Sequence, residues 1–472
     1  MILNHSSLSF SGLDNREEKT ISALINRLEG YSPANALHEA YYDGTFSVKY
    51  LGIAIPDEAK ALRMVAGWAT TTVDVLEERL IWNGWTSPEL NDIYYDNALD
   101  SESSQIHLDS LIYGTSYISV TAGGDGEPEA LIRGHDARNT VGIMNHRTRR
   151  LDVALTRSLN NDGNVDGLTL WLPHEIIELS REDKTNTLVV TDRVEHTLGR
   201  VPMVQQVNRP RTGDRGGKSE ITRAVRSYTD SAVRALTGME VNREFFSSPQ
   251  RYMIGLGAED MVDANGNRVD PWKILAGRIW GVPGIELEDE NGELTGEIEK
   301  PEIGEFSPIS PGPYLEQISG LARQLAAEAG LPAEYLGVTQ SNPSSADAIV
   351  KGESRLIRRA EKRQAQFGHS WDDVGLLTQA VLGVEGERPR SMWMDPSTPT
   401  MAATTDAMVK ATQAKLVPSG SEVVLRKLRF SEDEIRQIQR EMALERSAMI
   451  TSSIGNRNIS EQAIRAAMTG EQ

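Results

Sequence analysis

Two short runs in this 472-residue chain hold residue types that can do chemistry. The first is "GDRGGKS", Gly213 to Ser219, a glycine-rich loop ending in Lys-Ser. Such a loop can circle a phosphate with its backbone amides when a four-residue spacer separates the first glycine from Gly-Lys-Ser. Here only three residues separate Gly213 from Gly217. Glu220 follows at once and puts a carboxylate where the helix start should face an anion. The second run, "HEIIE", His174 to Glu178, is half of a zinc-protease motif. It has Glu where a second imidazole must share the helix face, and its flanks "LTLWLP" and "IIELS" read as strands. No Ser, His and Asp grouping has the setting of a nucleophile. The chain is therefore expected to hold no catalytic residue, no metal site and no cofactor.

The composition narrows the classes further. There is no cysteine, which removes disulfides, zinc-thiolate sites and thiol nucleophiles and fits a reducing compartment. A formal net charge of −19 argues against tight non-specific wrapping of DNA, which depends on Lys and Arg displacing counterions. The first thirty residues lack a basic start followed by an apolar core, so no signal peptide is expected. No apolar run reaches the ~18 residues of a membrane span. Hydrophobic content of 39% and charged content of 25% are those of a globular chain, and its length allows two to four core-forming units.

Helices are predicted over 14–30 and 56–82, with a further helix or pair in "NDIYYDNALDSESSQIHLDSLIYG". From about 115 to 210 short β-branched runs alternate with turn clusters and predict strands. The connector "RPRTGDRGGK" leads into a long helix, 219–247, with Ile221, Val225, Tyr228, Ala232, Ala235, Met239 and Phe246 on one stripe. A β- and turn-rich excursion over about 248–310 ends in "GIELEDENGELTGEIEKPEIGE", with nine carboxylates and a single Lys. A second helix, 311–329, repeats Leu315, Ile318, Ala322, Leu325 and Ala329, with Gly330 as its C-cap and Pro332 as its stop. Two apolar-striped helices around an insertion suggest a protruding module on a stalk whose stripes need neighbours. The last seventy residues are helical again.

Two features stand out. The loop "TQSNPSSAD" offers Gln340, Ser341, Asn342, Ser344 and Ser345 and no cation. After it, a helix from about Ser345 stacks Ile349, Leu356, Ala360 and Phe367 on one face. Lys351, Arg355, Arg358, Arg359 and Lys362 make a basic stripe on the other. That stripe has three readings: a solvated face, pairing with carboxylates of a neighbouring subunit, or contact with nucleic-acid phosphates.

Several blocks in fixed order carry a resemblance: "YYDGTFSVKYLG", "VPMVQQVNRP…GKSEI", "LPAEYLG", "NPSSADAIVKGESRLIRRAEKRQAQFG" and "EVVLRKLRFSEDEI". From about residue 30 to 450 the chain resembles the portal proteins of tailed bacteriophages, especially those of long-tailed phages of actinobacteria. The resemblance implies an α+β portal fold: a mixed wing (1–215 and, through a long returning helix, 346–400), a two-helix stem (216–247 and 311–330), a β-rich clip (248–310), a tunnel loop (331–345) and a helical crown (401–472). It implies a homo-oligomeric ring, usually a dodecamer, at one capsid vertex beside the major capsid protein. Double-stranded DNA would pass through it during packaging and ejection. The clip would meet the terminase large subunit first and the head–tail connector later. The chain would be a virion component, in the host cytoplasm during assembly, with no membrane partner. The alternatives are a P-loop NTPase or other DNA-processing enzyme, and another ring-shaped virion connector.

A channel that moves DNA both ways must hold it weakly. Each phosphate neutralised by Lys or Arg adds to salt-dependent affinity, and a ring copies every contact. Neutral hydroxyls and amides, which water replaces at small cost, fit a low-friction loop.

Overall fold

The computed structural model describes residues 9–49, 64–182, 187–246, 251–254, 285–288, 294–299, 302–305, 310–338, 346–397, 401–418, 420–428, 430, 434–445 and 447. The chain divides into two units, Met1–Met394 and Asp395–Gln472.

In the first unit a short strand, β1 (Ser9–Ser11), leads into α1 (Asn15–Tyr42). Asp14 caps α1: its carboxylate accepts from the amides of Arg16 and Glu17, and Glu17 reaches back to the Asp14 amide at 2.8 Å. The helix runs twelve residues beyond the predicted end at residue 30, passing Pro33. Its first half buries Ile21, Leu24, Ile25 and Leu28 against a six-stranded sheet. That sheet has the order β1-β9-β8-β7-β6-β5, built from β5 (Thr140–Met144), β6 (Leu151–Leu159), β7 (Val165–Trp171), β8 (Glu175–Arg181) and β9 (Thr187–Glu195). All its pairings are antiparallel except β1 with β9. His174–Glu178 falls at the start of β8, a strand as its flanks predicted, so its side chains alternate between faces.

The larger core lies around a three-stranded sheet, β10-β3-β4: β3 (Thr115–Ala122), β4 (Ala130–Asp136) and β10 (Met203–Val207). Three further helices belong to it: α2 (Trp68–Glu77), α3 (Asn91–Asp96) and α4 (Leu99–Tyr113). The helix predicted over 56–82 is thus shorter: 64–67 and 78–82 are not part of it, and 56–63 lie outside the described residues. Trp82–Trp85 forms β2 and pairs with a strand at Ser391–Trp393. The reason is tertiary: Trp82 stacks on Trp371 with centroids 3.9 Å apart, and Trp85 Nε1 donates to the Trp371 carbonyl at 2.7 Å. Such aromatic burial outweighs a helical preference worth tenths of a kcal/mol per residue.

After β10 comes α5 (Arg223–Phe246), which begins four residues later than predicted, then β11 (Arg251–Ile254), β12 (Ile285–Glu288), β13 (Leu294–Glu299) and β14 (Glu302–Glu305). β11 pairs with β14 and β12 with β13, both antiparallel, so the predicted excursion between two helices does contain strands. The second helix, α6 (Gly312–Ala329), packs along α5, and Gly330 caps it in the left-handed region at φ 68°. Its predicted stripe is buried only in the second half: Ala322, Leu325 and Ala329 are enclosed, whereas Leu315 is 53% exposed. A 37-residue helix, α7 (Ala346–Leu382), then spans about 55 Å, with Leu356, Ala360 and Phe367 fully buried as their spacing predicted. Strand β15 (Ser391–Trp393) closes the unit.

The second unit contains α8 (Met401–Gln413), α9 (Glu422–Lys427) and a helical segment over 434–445. No helix among the described residues is long and apolar enough to cross a membrane.

Candidate functional site

Glu220 is the centre of the site. It stands just before α5, and its side chain is 2% exposed. Arg359 Nη2 donates to one carboxylate oxygen at 2.7 Å and Arg363 Nη2 to the other at 2.7 Å. Arg209 Nη1 lies 3.6 Å away. Asn208 Nδ2 donates to the same carboxylate at 3.1 Å and to the Lys218 carbonyl at 2.7 Å. Burial pushes the Glu220 carboxyl up, but Arg359, Arg363 and Arg209 outweigh it and hold the group below the usual glutamate range. Three guanidinium groups thus share one buried carboxylate, with positive charge left over. Arg359 Nη1 is enclosed and finds no hydrogen-bond partner among the described residues.

The backbone around Glu220 is tightly placed. Gly217 has φ +84° and packs face to face with Gly114, whose carbonyl oxygen a methyl group at 217 would overlap. Two amides at the end of the run are taken by carbonyls: Lys218 donates to Asn208 at 2.8 Å and Glu220 to Leu111 at 2.9 Å. Gly213–Ser219 is therefore a connector anchored at its Gly217–Ser219 end, with Gly213, Asp214 and Gly216 exposed. Arg209 sits in the left-handed region at φ 52°, a costly conformation for a non-glycine residue, and that backbone places its guanidinium beside Glu220.

This hub walls a cleft of about 660 Å³, lined by Arg209, Arg211, Lys218, Arg355, Arg358, Arg359, Lys362 and Arg363 against the carboxylates Glu220 and Glu328. Eight cations face two carboxylates. Beyond the same connector a second cavity, of about 490 Å³, is bordered by Arg27, Arg223 and Arg226.

The basic stripe divides. Arg359 is an internal partner of Glu220, so the reading of the whole stripe as a solvated face is corrected at that position. Arg355 caps the end of α6 by donating to the Ala327 carbonyl, and it packs on Gly330. Arg358 and Lys362 are exposed at the cleft. Lys351 belongs to α7, and its side chain lies outside the described residues. The loop residues Gln340, Ser341, Asn342, Ser344 and Ser345 also lie outside them. Arg209 and Arg363 were not singled out in the sequence, and Glu220 was read only as a charge opposing an anion at the helix start. Glu220 is 139 and 143 residues from its two arginines, and no local spacing rule joins such positions. The one local signal was a carboxylate closing the basic run "RPRTGDRGGKSE".

With this arrangement in place, comparison with known proteins identifies the class. The chain matches the family model for phage portal protein, SPP1 Gp6-like, over residues 20–447, and it belongs to that family. Among curated relatives, the portal protein of Mycobacterium phage L5 is 30% identical over 422 residues, covering 84% of this chain and 83% of its own. The portal protein of Mycobacterium phage D29 is 30% identical over 408 residues, covering 82% and 80%. The resemblance read from the sequence blocks is therefore correct, including its leaning towards phages of actinobacteria. A solved chain from the neck of a native GTA particle, computed with C12 symmetry, aligns with a TM-score of 0.43 at 14% identity, covering 79% of this chain and 94% of that one.

Proposed function

We propose that this chain forms a twelve-subunit ring at one capsid vertex, through which double-stranded DNA is packaged and later ejected. The family match across residues 20–447 carries this reading. In it, residues 1–215 and 346–400 are the wing, 216–247 and 311–330 the stem, 248–310 the clip, 331–345 the tunnel loop and 401–472 the crown. Two features support that division: α5 packs along α6, and strands lie between them in sequence. The exposed first half of α6, with Leu315 open, is what a stem helix needs if another subunit covers it. The clip docks the terminase large subunit and then the head–tail connector, and the ring sits against the major capsid protein in the virion after assembling in the host cytoplasm. Any nucleotide hydrolysis that drives packaging belongs to the terminase.

The loop carrying Gln340, Ser341, Asn342, Ser344 and Ser345 touches DNA through neutral groups and holds it weakly. Replacing Ser341 and Ser344 by Lys in every subunit adds cations that the ring multiplies, and each neutralised phosphate raises affinity with a salt slope of about −0.9. Packaging should slow and filled particles should carry less DNA. Normal rate and normal DNA length would contradict the low-friction reading.

A further inference from the structure

The cationic cleft has a counterpart elsewhere on the same chain. Between Arg79 and Arg133 there is no Lys or Arg, while nine carboxylates occur. The most prominent part is the corner between α3 and α4. There Ala98 turns the chain in the left-handed region at φ 49°, a strained conformation for alanine, where the two helices meet. Asp92, Asp96, Asp100 and Glu102 are all exposed on it, and no cation stands within ion-pair distance of them among the described residues. Tyr95 is half exposed beside them.

Cleft and corner lie on opposite flanks of α7. One face of α7 meets α2 and α4: Glu353 accepts from Arg79 at 3.1 Å, Gln364 donates to the Arg79 carbonyl at 3.2 Å, and Trp371 Nε1 donates to His107 of α4 at 2.9 Å. At about 100° per residue, Arg355, Arg358, Arg359 and Lys362 fall roughly 140–240° around the helix from Glu353. The helix therefore stands between the two charged surfaces, and they cannot neutralise each other within one chain. Between chains placed head to tail they can, because one subunit then turns its cleft towards the flank on which the next carries its acidic corner. The cleft is concave and of a size for a few carboxylate side chains, too small for a duplex to enter.

We propose that the cleft walled by Arg358, Lys362, Arg211 and the Glu220 hub is the socket for the acidic corner 92–102 of the next copy in the ring. The pairing rests on the ring reading above and adds its contact chemistry. Arg358 and Lys362, exposed at the cleft, are the donors such carboxylates would meet. Complementary patches of this kind fix register and exclude wrong partners.

The test uses the full-length chain and a charge swap, with ring content read by native mass spectrometry and analytical ultracentrifugation. Arg358→Glu with Lys362→Glu should lower the ring fraction at least about tenfold at a fixed subunit concentration. Asp96→Lys with Asp100→Lys should do the same. All four changes together should restore rings, since opposite signs again face each other across the contact. All four substituted positions are exposed, and circular dichroism melts check that each variant folds. Rings unaffected by either reversal, or not restored by the combination, overturn the pairing. Intact rings that lose retained DNA when only the cleft is reversed also overturn it, and would assign the cleft to phosphate. If the unmodified chain forms no ring, the ring reading itself fails, which is a different result from rings indifferent to these charges.

Discussion

Replacing Glu220 by Gln leaves the shape of the hub almost unchanged and removes its only buried negative charge. Arg359 and Arg363, 19% and 8% exposed at their side chains, would then face each other and Arg209 without a counter-ion. Removing one partner from a buried ion pair costs about 3–5 kcal/mol, because the stranded charge has lost both water and partner. The unfolding entropy near 60 °C is about 2.1 cal/mol/K per residue, so over the 394 residues of the first unit the melting temperature should fall by about 4–6 °C. Differential scanning calorimetry of the purified chain measures this directly. The pH dependence gives an independent reading. The folded Glu220 is held below its ordinary value of 4.5, so its contribution is present above pH 4.5 and is lost as pH falls through the folded value. The Gln variant should lack that acid-dependent loss, and the two melting curves should converge once pH has fallen below the folded Glu220 value. Replacing Glu220, Arg359 and Arg363 together by apolar residues of similar size should recover most of the stability, since the stranded charges go with the carboxylate. A Gln variant that melts within a degree of the unmodified chain at pH 7 would refute the hub.

Further outcomes follow from other positions. Burial pushes His107 down to about 3 and His135 to about 4, so both fold neutral and must gain a proton to match the unfolded chain in acid. Stability should fall as pH drops from 6.5 towards 4, His107 alone contributing about 1.4 kcal/mol per pH unit; His107→Gln should flatten that slope, and an unchanged slope would contradict its assignment as a buried neutral group. Gly217→Ala should lower the melting temperature by several degrees, because φ +84° and the Gly114 carbonyl leave no room for a methyl; a neutral result in thermal melts would contradict the tight crossing at the connector. Trp371→Phe removes the donor to His107 and part of the stack on Trp82, and should cost about 1–3 kcal/mol in urea unfolding at pH 7. A cost under about half a kcal/mol would show that the aromatic cluster repacks.

Spacing made some of this fold legible and distance hid the rest. Leu356, Ala360 and Phe367 could be read as one buried face because helix periodicity is local, and Gly330 could be read as a cap for the same reason. The continuation of α1 across Pro33 to Tyr42 could not, because Gly30, Ser32 and Pro33 all signal a stop by local rules. Trp82, the first residue of β2, was read as the last of a helix because its partner Trp371 lies far along the chain. In the site, the basic residues of α7 were visible and their division was not. Which arginine turns inward depends on Glu220, placed by a glycine crossing and by Asn208, and no pattern near position 359 records that.

The central claim is that this chain works as a ring around DNA. Negative-stain imaging of the purified full-length protein, paired with its mass in solution, tests it most directly. The account predicts a ring with a central opening and a mass near twelve times the 52.0 kDa chain. A compact 52.0 kDa monomer at all concentrations would contradict it.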